Sequence, residues 1–226
     1  MKRLLDILLS SVALAALLPL LVPVAIVLRC TGEGYIFYRQ QRVGKGGRSF
    51  GLYKFVTMAA GSEKMPGGLL TKKDDPRVLP FGRILRATKI NEIPQLLNVL
   101  RGDMSLIGPR PQAREHFEVF PEHVKREIVK VRPGLSGIGS IVFRDEEAIL
   151  ARCAADQQHF YAHEIAPYKG ELELWYVQHQ SVPLDLLLIL LTIQAVLFPK
   201  RFNPLKAFRD LPRPHSTALS ACLIPV

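Results

Sequence analysis

The chain has 226 residues, a formal net charge of +10 and three cysteines. That length suits one compact domain with attachments and a core of its own. The basic balance calls for an anionic partner, and the lack of any helix-turn-helix, zinc-finger or aromatic RNA-binding pattern argues against nucleic acid. Cys30, Cys153 and Cys222 are odd in number and widely spaced. Reduced thiols are therefore expected rather than a disulfide framework or a metal site.

Ile7–Leu28 runs for 22 residues without a charge. As a straight helix it would be about 33 Å long, enough to cross a hydrocarbon core. It is too long for a signal peptide and lacks a small-residue cleavage site. Two facts favour a helix that enters the membrane, bends and returns. Pro19 and Pro23 each remove an amide donor and clash with the preceding turn. Lys2 and Arg3 precede the run and Arg29 follows it, so both ends favour the cytoplasmic side. A single-pass helix with a proline kink is the alternative.

Tyr35–Arg42 and Ser49–Phe55 read as two strands joined by a turn at 43–48. The glycines of that turn are not followed by a helix, so a hairpin fits better than a phosphate loop. Ala59–Lys73 is expected as a mobile loop. Asp74 and Asp75, before Pro76, suit a turn or cap better than a metal site. Arg83 and Arg86 share one face of a short helix. Asn91 is expected to N-cap the next helix, with Glu92, Ile93 and Pro94 in its first turn. Ile93, Leu96, Leu97 and Leu100 form its apolar face, and Gly102 ends it. Asn91 and Glu92 would then lie at the positive end of a helix dipole, where an anion is stabilised. Gly108-Pro109-Arg110-Pro111 fixes the backbone around an arginine, which suits a bidentate grip on phosphate.

His116–Val131 reads as a charged helix. Residues 132–140 form a glycine-rich turn region that permits close backbone approach, to a ligand or within a tight loop. Asp145–Tyr161 and Tyr168–His179 read as helices. His159 and His163 have zinc-compatible spacing but no evident third ligand, so surface histidines are expected. Leu186–Phe198 is too short to span a bilayer. With basic residues after it, it suits the membrane interface. Residues 200–226 are expected to form a basic, flexible tail.

Several ordered blocks resemble the monotopic phosphoglycosyl transferases among the bacterial sugar transferases. They include Lys2-Arg3-Leu4-Leu5-Asp6, Gln41-Arg42-Val43-Gly44, Tyr53–Met58, Asp75-Pro76-Arg77-Val78, Phe81-Gly82-Arg83, Arg86–Pro111, Arg132-Pro133-Gly134, Trp175-Tyr176-Val177 and Leu184-Asp185. The resemblance implies an α/β fold, mostly helical with a β-hairpin. Residues 1–33 would form a re-entrant membrane helix and residues 34–199 a catalytic domain with interfacial amphipathic helices. The implied location is the cytoplasmic face of the bacterial inner membrane. The implied reaction transfers a phospho-sugar from a UDP-sugar to undecaprenyl phosphate through a covalent aspartyl intermediate, releasing UMP. Membrane lipid is a further implied partner, and a homodimer is left open.

By the same resemblance, position 91 is the nucleophile and Glu92 the Mg²⁺ ligand. Arg110 binds phosphate, and Lys54, Arg86, Gln95 and Pro111 are further substrate-contact candidates. Two positions depart from the family pattern. Asn91 replaces the nucleophilic aspartate, which implies an impaired or binding-only chain. Val56 stands where a basic residue is usual.

Overall fold

The computed structural model describes residues 1–226 except 32, 63–64, 66–74, 154–155, 199–206, 209 and 224–226, and the side chains of 152 and 153. The chain divides into two units. One comprises Met1–Gln40 with Gly51–Gly102, and the other Gln41–Phe50 with Asp103–Val226. The expected β-hairpin is present. Strand β1 (Phe37–Val43) pairs with β2 (Ser49–Phe55), and the turn carries Gly46 and Gly47 at φ 69° and 72°, where a side chain would be strained.

In the first unit, helix α1 (Lys2–Cys30) is continuous through Pro19 and Pro23. It is long and apolar enough to cross a membrane. Its two ends are fastened and its middle is largely exposed. Near the start, Arg3 donates to the carbonyls of Val99 at 2.5 Å and Leu100 at 2.8 Å. It thereby caps the C-terminus of α3 (Gln95–Arg101), adding to the Gly102 amide at Val99 O, and its charge offsets the helix dipole. Near the end, Val24 and Leu28 pack with Phe55 and Leu85, flanked by Leu21, Ile36, Phe81 and Ile90. Helix α2 (Pro80–Ala87) approaches this core through Gly82, where a Cβ would lie 2.3 Å from the Thr57 carbonyl.

Asp75 is no open metal ligand. Arg77 grips its carboxylate in bidentate fashion, Nε to Oδ1 at 2.9 Å and Nη2 to Oδ2 at 2.6 Å, and also reaches the Ser62 carbonyl at 3.0 Å. Both side chains are buried. Asp75→Ala should cost about 3–5 kcal/mol because it strands the guanidinium. Thermal melting would show this as a large drop in Tm, whereas Arg83→Ala, at an exposed position, should leave Tm nearly unchanged. The expected loop Ala59–Lys73 falls mostly outside the described residues.

In the second unit, β3 (Ser105–Ile107) pairs in parallel with β4 (Gly134–Ser136), Ser105 opposite Gly134 and Ile107 opposite Ser136. The expected helix at 116–131 is two helices, α4 (Arg114–Glu118) and α5 (Glu122–Ile128), because Pro121 interrupts it. Helix α6 (Ile138–Val142) follows the glycine-rich segment. The expected helix at 145–161 becomes α7 (Glu146–Cys153) and α8 (Gln157–Phe160). Asp156 caps α8 by accepting from the amides of Gln158 and His159, a strong N-cap that restarts the helix. A π-turn at Tyr161–Ile165 leads into α9 (Ala166–His179). Helix α9 packs on α5 and α6, and α10 (Val182–Leu197) on α6, β3 and β4. Helix α10 buries Asp185, Leu188 and Ala195 while Leu186, Leu187, Leu190, Ile193 and Val196 stay exposed.

Two expectations need correction here. Residues 210–223 are docked rather than loose. Helix α11 (Thr217–Leu223) packs on α7 with Leu219 buried. Tyr168 donates to the Pro212 carbonyl, and Trp175 Nε1 to Asp210. A few apolar anchors, Leu211 and Leu219, suffice to order a segment whose sequence shows no periodic face. The thiols also differ from expectation. Cys30 is free and exposed, but Cys222, carried on the docked α11, is disulfide-bonded. The side chain of Cys153 lies outside the described residues.

Candidate functional site

In the first unit, Asn91 and Glu92 do not begin the helix as expected. They lie in a 3₁₀ turn, Ile90–Glu92, entered from Lys89 at φ 60°. Helix α3 starts only at Gln95, with Pro94 in the N-cap position and no side-chain cap. The reason is Pro94. It lacks an amide hydrogen, and the chain on either side closes short bonds, Ile93 N to Ile90 O at 3.1 Å and Leu97 N to Pro94 O at 3.0 Å. Lys89 is the one non-glycine residue with positive φ among the described residues, and such conformations concentrate at functional sites.

Asn91 is 6% exposed, and its Oδ1 is buried with no hydrogen-bond partner. An unpaired buried carbonyl oxygen is costly, so it marks a place where a ligand or cation could be received. Glu92 follows at a half-buried position, and Gln95 is buried on the first turn of α3. Lys54 and Arg86 are half-buried in the same unit. Hard oxygen donors of this kind suit Mg²⁺, which keeps several waters and takes phosphate oxygens to complete its shell. Among the described residues no group of three or more His, Cys, Asp or Glu could cage a metal without such help.

In the second unit, Arg110 and Pro111 sit on a loop immobilised from several sides. Gly108 N donates to Ser136 O at 3.0 Å and Gly134 N to Pro109 O at 2.8 Å. Arg110 N donates to Glu173 Oε1 at 3.1 Å. Arg42 reaches Pro111 O, Gln112 reaches Arg110 O, and Val43 N donates to Gln112 O. The glycines of 134–139 serve this packing. A Cβ on Gly134 would lie 2.1 Å from Gly108 N, and one on Gly137 2.3 Å from Gly108 O.

Around Arg110 lies a set of charges that the sequence did not single out. Lys169, buried on α9, pairs with Glu146 at 2.5 Å. Burial alone would push Lys169 down, but Glu146 holds it above its ordinary value. Burial would likewise raise Glu146, and Lys169 overrides it and holds the carboxylate low. His116 is pushed down, first by burial and then by Arg42, so it is neutral at pH 7. Glu173 is 1% exposed, and burial pushes it up to about 7. Arg42, Arg110 and Lys169 therefore face Glu146 and a half-titrated Glu173, which leaves a positive surplus suited to an anion.

The sign of the Glu173 shift gives a stability prediction. A carboxyl raised from 4.5 to about 7 holds its proton more tightly folded than unfolded. It costs stability increasingly from about pH 4.5 to about pH 7, and the cost stays constant above that. The difference in Tm between Glu173→Gln and the unaltered chain should therefore shift in favour of the variant from pH 5 to pH 8. A pH-independent difference would contradict this. Lys169, Glu173 and Tyr176 recur on the buried face of α9, but the helix is mixed all round, so the sequence carries no signal that marks this face.

His159 and His163 stack at 4.1 Å, and His163 Nδ1 lies 3.0 Å from the His159 carbonyl. That ring pairing needs no metal.

These segments all lie within a match to known proteins. The family model for bacterial sugar transferases matches residues 1–199. A UDP-N-acetylgalactosamine-undecaprenyl-phosphate N-acetylgalactosaminephosphotransferase of Aeromonas hydrophila is 36% identical over 202 residues, covering 87% of this chain and 43% of that protein. Exopolysaccharide production protein ExoY of Sinorhizobium fredii is 33% identical over 209 residues, 86% of this chain and 84% of that protein. A UDP-glucose:undecaprenyl-phosphate glucose-1-phosphate transferase of Caulobacter vibrioides is 42% identical over 144 residues, 62% of this chain and 53% of that protein. The chain thus spans about half the length of two of these relatives and most of ExoY. The matched span holds the hairpin, the Asn91-Glu92 turn, the Arg110 loop and α9, and on that extent the chain belongs to the bacterial sugar transferase family.

Proposed function

We propose that this chain is built to transfer a phospho-sugar from a UDP-sugar to undecaprenyl phosphate at the cytoplasmic face of the inner membrane, as a step in bacterial glycan or exopolysaccharide assembly. The observation that carries this reading is the Gly108–Pro111 loop, whose backbone is tied at every turn and which presents one arginine in a positive surround. Such a fixed guanidinium suits a phosphate oxygen pair. The names of the relatives agree with that substrate class.

In the reaction, a carboxylate at position 91 attacks the β-phosphorus of the UDP-sugar, the bond to UMP breaks, and UMP departs. An oxygen of the lipid phosphate then attacks the phospho-sugar and releases the carboxylate. Glu92 would hold Mg²⁺, which would supply charge neutralisation to the pyrophosphate. Arg110 would hold phosphate, and Lys54, Arg86, Gln95 and Pro111 would line the substrate.

Asn91 removes the first step. Its amide is neutral and a very poor nucleophile, yet nearly the shape of aspartate. The second reading therefore rests on this residue: a membrane-bound binder of nucleotide sugar or lipid phosphate that does not turn over. The chain carrying Asn91→Asp, in vesicles with undecaprenyl phosphate and Mg²⁺, is the test. UMP from one of a panel of UDP-sugars supports the transferase, and no UMP from any of them favours the binder.

Helix α1 would enter the bilayer, bend at Pro19 and return. Its fastened ends and exposed middle support this. The exposed face of α10 would lie in the interface, where apolar area drives binding. Single cysteines placed along 11–22 should resist a membrane-impermeant thiol reagent added from the periplasmic side. Labelling at any of them would favour a spanning helix.

A further inference from the structure

The buried face of α9 touches the end of β3 and the Arg110 loop that follows it at two points one helical turn apart. The Tyr176 hydroxyl donates to Asp185 Oδ1 at 2.6 Å and also reaches Ile107 O at 3.1 Å. Glu173 accepts the Arg110 amide through Oε1 at 3.1 Å. Its other oxygen, Oε2, is buried and has no hydrogen-bond partner. The glycine-rich segment makes room for this carboxyl: a Cβ on Gly139 would lie 2.4 Å from Oε1, and one on Gly137 3.8 Å from Oε2. A glutamine would meet the same packing, but an alanine would leave both the amide and the space unfilled.

We propose that Glu173 is a positioning residue for anion recognition, holding the Arg110 backbone from beneath and answering an anion bound at Arg110 by taking a proton on Oε2. The proposal rests on the phosphate-binding role given to Arg110 above. The physical basis is local. The charged groups near Glu173 are Arg110 from the loop and Lys169 from its own helix, while β4 and α6 present backbone and glycine. An arriving anion offsets the charge of Arg110, which, after the Arg110 amide and the Lys169 charge, favours the ionised form of Glu173 against its burial. The carboxyl then binds a proton more tightly, and the free oxygen is where it goes. The position of this group near neutrality makes the exchange measurable at ordinary pH.

The experiment is calorimetric titration of UDP into the full chain in lipid nanodiscs at pH 7.5, in two buffers of different ionisation enthalpy, for the unaltered chain, Glu173→Gln and Glu173→Ala. The unaltered chain should take up a fraction of a proton on binding UDP. Glu173→Gln should bind within about threefold of it with that uptake abolished. Glu173→Ala should bind at least about tenfold more weakly. Proton uptake unchanged in Glu173→Gln, or undiminished affinity in Glu173→Ala, overturns the role of Glu173 and leaves the UDP-sugar reading standing. If the alanine variant does not fold, the uptake in the glutamine variant decides. Failure of the unaltered chain to bind UDP overturns the substrate reading and this role with it.

Discussion

Asn91→Asp is expected to raise UMP release by about 10³-fold or more over the unaltered chain. The substitution exchanges one amide nitrogen for oxygen at a 6% exposed position, so it changes chemistry with little change in volume. The new carboxylate would replace an Oδ1 that has no donor now. Burial without donors raises the pKa of a carboxyl, so the variant's rate should climb with pH until the group is ionised. Mg²⁺ should lower that inflection by stabilising the charged form. A UMP-release assay from pH 6 to 9, with and without Mg²⁺, reads both effects. A rate equal to that of the unaltered chain would place the chain with the binders.

Gly134→Ala should be the most damaging single methyl in the second unit. Its Cβ would meet Gly108 N at 2.1 Å, Ser136 O at 2.3 Å and Gly108 O at 2.5 Å, all backbone atoms. None can swing aside as a side chain would, so β3 and β4 must part. A cost of about 3 kcal/mol or more is expected, a Tm drop of about 6–12 °C for a protein of this size. The loss should extend to UDP affinity, because Gly134 N also holds Pro109 O. Gly46→Ala is the control. It has φ 69° but nothing within 4 Å of its Cβ, so it should cost only about 1 kcal/mol and leave UDP affinity intact.

The legible parts of the sequence were those with local causes. Glycines at 44–47 between two aromatic-rich runs fixed the hairpin, and Gly102, at φ 91°, ended α3 where expected. The Arg110 loop was legible as rigid because two prolines fix φ on either side of the arginine. What it rests on was not. The partners of Gly134 and Gly137 lie about 26–29 residues upstream, and spacing alone does not say that Gly108 meets them. Glu173 was one glutamate among several on a mixed helix, and only packing shows that its phase is inward. The start of α3 was misplaced because Asn91 is a good cap by type, while Pro94 controls the local hydrogen bonds. The docking of the tail is not legible, because two buried leucines, Leu211 and Leu219, leave no periodic trace.

The most direct measurement is extraction of the lipid phase after incubating the Asn91→Asp chain with undecaprenyl phosphate, Mg²⁺ and each UDP-sugar, followed by mass spectrometry. One undecaprenyl-diphospho-sugar is expected, formed in step with UMP and absent without the lipid phosphate. UDP bound by the chain, but no lipid-linked sugar from any donor, would contradict the transferase reading.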